Sequence, residues 1–96
     1  MTAYRPPSHD TTPRQTSEEF RDQLASAQAG NVIAMRIVGL RYAQAMGVSL
    51  DYRRAFFWLL KASRRGDAIA RNTVAEVGRR LTYRERVLAR RGQFPE

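Results

Sequence analysis

A chain of 96 residues with 43% hydrophobic and 27% charged side chains has room for one domain with a modest core, and without cysteine it can build neither disulfides nor thiolate metal sites nor a thiol nucleophile. Its net charge of +8 comes from sixteen arginines and one lysine, Lys61, so guanidinium donors are available for carboxylates, phosphates or aromatic faces. The longest apolar run, Ala55 to Leu60, is far below the roughly 18 residues that span a bilayer, and the opening residues lack the apolar stretch of a signal peptide; a cytoplasmic protein with no membrane span is expected. The charge is uneven. Residues 1–29 carry Arg5, Arg14 and Arg21 against Asp10, Glu18, Glu19 and Asp22, a net −1, while the remainder carries +9.

Residues 1–16, with Pro6, Pro7 and Pro13 set among Ser, Thr and His9, read as a disordered arm. Ser17 followed by Glu18 and Glu19 marks a capped helix start with acids at the positive end of the dipole. The first predicted helix runs to about Ala29, where Gly30 stops it. A second fits Asn31 to about Ala45, broken by Gly47; Asp51 caps a third that ends before Gly66; Asp67 caps a fourth reaching about Arg80. Thr82 and Glu85 stand at capping-box spacing, which opens a fifth helix from Tyr83 to Arg91, ended by Gly92 and Pro95. The helical domain is therefore residues 17–92, with 93–96 as a tail. No stretch alternates as a strand would.

At an offset of 36 the sequence meets itself: Phe20 with Phe56, Leu24 with Leu60, Gly30 with Gly66, Ala34 with Ala70, Val38 with Val74. Within residues 30–66 the positions Gly30, Ala34, Val38-Gly39, Tyr42, Ala45-Met46-Gly47-Val48, Asp51, Ala55, Trp58, Lys61-Ala62-Ser63 and Gly66 follow a known pattern. The segment resembles a Sel-one-like repeat, a relative of the tetratricopeptide repeat. Two positions depart from that pattern: Ala45 stands where the family has the first glycine of its Gly-x-Gly-Val turn, and Ser63 replaces the second alanine of Lys-Ala-Ala. Residues 17–29 look like the second helix of a preceding repeat, and 67–80 like the first helix of a following one. The resemblance implies an all-α fold, a short antiparallel α/α solenoid of about five helices. It also implies scaffolding, since such repeats generally bind other proteins and organise complexes in signalling, assembly and host interaction.

The physics of the pattern is independent of its name. Ala34, Gly39, Ala55, Ala62 and Ala70 let two helices approach closely while Val38, Tyr42 and Trp58 fill the gaps beside them, so Trp58 is expected in the core. Asp51, Asp67 and Glu85 are explained as caps, and Glu76 can pair with Arg79 or Arg80 on its own helix. The only histidine, His9, lies in the arm, and no nucleophile and base pair, metal cluster or phosphate loop is present. A non-catalytic module without cofactors is expected.

Its candidate contacts are of two kinds. Phe57 and Leu60 are more apolar than the resemblance requires and lie three apart, on a helix face turned from Trp58. Val32, Ile33, Met35 and Ile37 similarly thicken the apolar surface of the second helix. The cationic candidates are Arg53 and Arg64 on the third helix and Arg79, Arg80, Arg84, Arg90 and Arg91 toward the C-terminus, a cluster to which Arg86 adds. The expected partner is a protein with an acidic or apolar surface. Nucleic acid is the runner-up, because the arginine cluster would suit a phosphate backbone although only Tyr83 is near it for stacking. A structural subunit of a larger assembly is a third reading, and homo-oligomers are foreseen because so short a solenoid has two open ends.

Overall fold

The computed structural model describes residues 16–94, and among these it contains five α-helices and no strand: α1 (Glu18–Gln28), α2 (Val32–Gln44), α3 (Tyr52–Arg64), α4 (Ala68–Gly78) and α5 (Tyr83–Arg90). The predicted arm, apart from Thr16, lies outside the described residues, as do Pro95 and Glu96.

Each helix opens where a short polar side chain can take its orphan amides. Ser17 Oγ accepts from the Phe20 amide at 3.0 Å, Asn31 Oδ1 from Ala34 at 2.9 Å, and Asp67 Oδ1 from Ala70 at 2.8 Å. Asp51 Oδ1 accepts from both Arg53 and Arg54 at 3.0 Å, and Thr82 and Glu85 exchange reciprocal bonds of 3.1 and 2.8 Å in the foreseen capping box. Each cap is worth about 1 kcal/mol, a large fraction of what so small a domain holds in reserve.

Every helix ends within two residues of its predicted stop, and two of the ends show what fixes them. α4 stops at Gly78 rather than near Arg80, because Arg80 and Leu81 donate backward to Val77 and Gly78 in tight three-residue bonds while Arg86 Nη1 takes the carbonyls of Gly78 and Leu81 at 2.9 and 2.8 Å. α2 stops at Gln44 because Ala45 turns into the left-handed region at φ 57°, the only described residue other than glycine with positive φ. That conformation brings the Cβ of an L-residue too close to a carbonyl.

The turn from α1 to α2 is rebuilt between α3 and α4, 36 residues later, with the same three backbone bonds. Ala29 donates to Ser26, Gly30 to Ala27 and Asn31 to Ser26; Arg65 donates to Ala62, Gly66 to Ser63 and Asp67 to Ala62. Gly30 and Gly66 share φ values of 105° and 98°. Connections fold α2, α3 and α4 each back on its predecessor, so α2 packs between α1 and α3 and α4 packs on α3, while α5 passes over its predecessor to lie against α3.

The core runs through these contacts. Phe20, Met35, Val38 and Leu59 are its largest fully buried side chains, and Trp58 joins them at 8% exposure. Between them Ala34, Ala55, Ala62 and Ala70 are closed to solvent, as their spacing foretold. Gly39 marks a close approach of α2 and α3: a Cβ there would stand 2.6 Å from Leu59 Cγ, well inside contact distance. On the other side of α2, Tyr42 meets Phe20 edge to face at 5.1 Å, and burial raises its phenol above the ordinary value against the opposing pull of Arg54. Met35 of the apolar α2 set enters the core, Val32 and Ile37 are partly buried, and Ile33 stays exposed.

Asp67 ties the repeat together. While capping α4 it accepts from Arg36 Nε of α2 at 3.0 Å, and its carboxyl is only 9% exposed. The Ala70 amide, followed by the Arg36 contact, lowers its pKa against the opposing effect of burial. A depressed carboxylate stabilises the fold fully above its unfolded pKa of about 3.9 and loses that contribution as pH falls through the lower folded value. Asp67→Asn keeps an oxygen for the Ala70 amide but not the charge. In denaturant titrations it should cost about 1–2 kcal/mol at neutral pH, with the gap to the parent closing as the pH falls below about 4. At Ala45 the strain is relieved by glycine, so Ala45→Gly should raise stability by about 0.5–1 kcal/mol in the same assay, a gain limited by the greater freedom of glycine in the unfolded chain.

Candidate interaction surface

The fold draws five of the nine candidate contacts onto one side of the molecule. Phe57, Leu60, Arg64 and Arg90 line a cleft of about 200 Å³ with Lys61. Leu60 is also a wall of the neighbouring cleft, about 430 Å³, formed by Phe56, Val74, Ala75, Gly78, Arg79 and Arg86. The two clefts share a leucine floor where α3, α4 and α5 converge. The other candidates lie apart. Arg53 and Arg80 border a third cleft, of about 320 Å³, with Tyr52 and Glu85; the Arg80 guanidinium stands 5.4 Å over the Tyr52 ring. Arg84 and Arg91 are exposed.

Phe57 is less open than its position on the helix implied. Its ring packs edge to face on Trp58 at 5.1 Å and on Phe94 at 5.7 Å, and Lys61 Nζ lies 5.1 Å from its centre. The cover comes from the segment read as a tail. Gly92 takes φ 76°, Gln93 donates to the Leu88 carbonyl at 2.9 Å, and this helix ending returns Phe94 onto α3, where Arg54 stacks on it at 4.6 Å. A glycine one residue beyond a helix cap, followed closely by an aromatic, was the available signal. Leu60, partly buried at the junction of both clefts, presents apolar surface without such a lid.

Electrostatically the surface is one-sided. Lys61, Arg64, Arg79, Arg86 and Arg90 surround the apolar floor, and no described acid lines either cleft; Glu76 pairs with Arg79 at 3.6 Å as an exposed side chain. Among the described residues Lys61, Arg64 and Arg90 form no ion pair. Arg86, which sequence reasoning placed only in the general arginine cluster, has a defined place: its Nη1 donates to the carbonyls of Gly78 at the end of α4 and of Leu81 in the following turn, which ties α5 to that turn. The acids Asp51, Asp67 and Glu85 are engaged as caps, and among the described residues no three His, Cys, Asp or Glu side chains gather as a metal set would. The arrangement offers shape, apolar contact and positive charge. No protein-family model, curated protein or solved structure matches the chain.

Proposed function

We propose that this chain is a non-catalytic protein-interaction module, an adaptor or scaffold of the Sel-one-like kind that its repeat resembles, which recruits or positions a cytoplasmic partner bearing apolar and acidic side chains. The observation that carries the reading is Leu60 at the floor of two adjoining clefts, ringed by Lys61, Arg64, Arg79, Arg86 and Arg90. An apolar anchor with a cationic rim favours a partner that inserts an aliphatic or aromatic side chain and flanks it with carboxylates. No helix among the described residues is long and apolar enough to cross a membrane. Protein is favoured over nucleic acid because Phe57 and Phe94 stack on each other and on cations of the chain itself, which leaves the exposed Tyr83 beside Arg84 as a single, thin platform for bases.

The test compares variants in capture from nuclease-treated native extract. Arg64→Glu with Arg90→Glu alters two exposed side chains and should leave circular dichroism and melting unchanged while weakening capture at least tenfold, equivalent to about 1.4 kcal/mol. Leu60→Ala should weaken capture with a smaller loss of stability than Trp58→Ala, which removes a buried ring and should cost on the order of 3–5 kcal/mol. Capture that disappears with nuclease, or that survives both the charge reversal and Leu60→Ala, would overturn the reading.

A further inference from the structure

The two ends of the helical stack are counterparts of one another. Because the turns at 29–31 and 65–67 coincide at the 36-residue offset, α1 holds the repeat position of α3, and α4 that of α2. In the complete pair, α2 receives α3 through apolar and small side chains: Leu59 sits on bare Gly39, and Met35, Ala55, Trp58 and Ala62 are buried. One repeat back, the α3 positions Ala55, Trp58, Leu59 and Ala62 become Glu19, Asp22, Gln23 and Ser26 of α1. One repeat forward, the α2 positions Met35, Gly39 and Ala43 become Arg71, Ala75 and Arg79 of α4, all three exposed. The α3-type face of α1 therefore carries acids, and the α2-type face of α4 carries arginines.

We propose that copies of this chain associate head to tail, with α1 of one copy docking on α4 of the next in the manner of α3 on α2. This rests on the reading of the α3–α4–α5 face as a protein-docking surface, and it names an occupant. The cleft lined by Phe56, Leu60, Val74, Ala75, Gly78 and Arg79 is, position for position, the surface of Phe20, Leu24, Val38, Gly39, Tyr42 and Ala43, on whose Gly39 Leu59 rests. In the docked pair Gln23 meets Ala75 where Leu59 meets Gly39, and Glu19 and Asp22 come within reach of Arg71 and Arg79. Asp22 and Glu19 are exposed; Glu19 also reaches Arg41 of its own chain at 3.3 Å with its side chain 70% open. Polar faces at solenoid ends serve solubility, and faces of one sign would repel; opposite signs on complementary positions make these ends attract. The net charge of +8 opposes association over long distances, but at about 0.1 M salt the Debye length is about 10 Å, which screens that repulsion more than contacts at the interface. The contact is heterologous, so copies add one after another instead of pairing off face to face, and the average mass grows with concentration.

Sedimentation velocity of the full chain at moderate salt tests this. The average mass should rise with concentration beyond that of a dimer. Glu19→Arg with Asp22→Arg, and separately Arg71→Glu with Arg79→Glu, should each give a monomer with unchanged circular dichroism. Mixed together, the two variants should associate again and grow in strict alternation, because the reversed α1 of one matches the reversed α4 of the other and their unreversed faces match as in the parent. Should either reversal unfold the chain, the neutral pair Glu19→Gln with Asp22→Asn should still weaken self-association at least threefold. A parent chain that stays monomeric at every concentration, reversed variants that associate as the parent does, or a mixture that stays monomeric would each overturn the proposal. A monomeric parent that still captures a protein in a manner dependent on Arg64 and Arg90 would overturn head-to-tail docking alone and leave the adaptor reading standing.

Discussion

Leu59 resting on the naked backbone of Gly39 sets the distance between α2 and α3, and the rest of the stack is arranged around that distance. A single methyl at residue 39 would have to displace Leu59, a side chain with no exposed surface and no room to yield. Because α2 and α3 lie so close, the alanines at 34, 55, 62 and 70 suffice to close the neighbouring layers, and a chain with few large side chains still excludes water. The same economy explains why helix caps matter: with a small core, the hydrogen bonds at five helix starts form a substantial share of the net stability. Asp67 is the most heavily used of these groups, since one carboxylate ends the orphan amides of α4 and holds Arg36 of α2 at the join between repeats.

The helix starts were legible because capping chemistry is local. Ser17, Asn31, Asp51, Asp67 and Thr82 each act within three residues of themselves, so spacing alone locates them. The repeat was legible for a similar reason, as Gly30 and Gly66 and the residues around them specify a turn without outside help. The burial of Trp58 followed from its neighbours on one helix face. What depended on distant parts of the chain was not visible. Phe94 reads as a tail residue until the helix ending at Gly92 folds it onto Phe57, thirty-seven positions away in sequence. For the same reason Phe57 looked open when only its own helix was considered. The early end of α4 likewise hinges on Arg86, whose value as a carbonyl ligand arises only once α5 has docked.

The candidate surface was legible in composition more than in place. Excess apolar residues at 57 and 60 and an arginine-rich C-terminal third were plain, but nothing in their spacing separated Arg64 and Arg90, which border the clefts around Leu60, from Arg53 and Arg80, which border another, or showed that Arg79 borders a Leu60 cleft and also shares a further cleft with Arg80. That sorting is a product of helix orientation. It also divides the arginines by employment: Arg36, Arg54 and Arg86 are committed to intrachain contacts, whereas Arg64, Arg84, Arg90 and Arg91 extend from the surface with charge to spare.

Charge and shape together make the molecule a dipolar rod. Its extents are 53 × 27 × 21 Å, and among the described residues Glu18, Glu19 and Asp22 outnumber Arg21 around α1, whereas arginines far outnumber Asp51, Asp67, Glu76 and Glu85 over residues 30–94. In the field of a strongly negative surface such a body experiences a torque as well as an attraction, so it turns before it touches and arrives with the α4–α5 end leading. Collisions are thereby filtered by orientation, and the Leu60 clefts are offered first while α1 trails toward solvent.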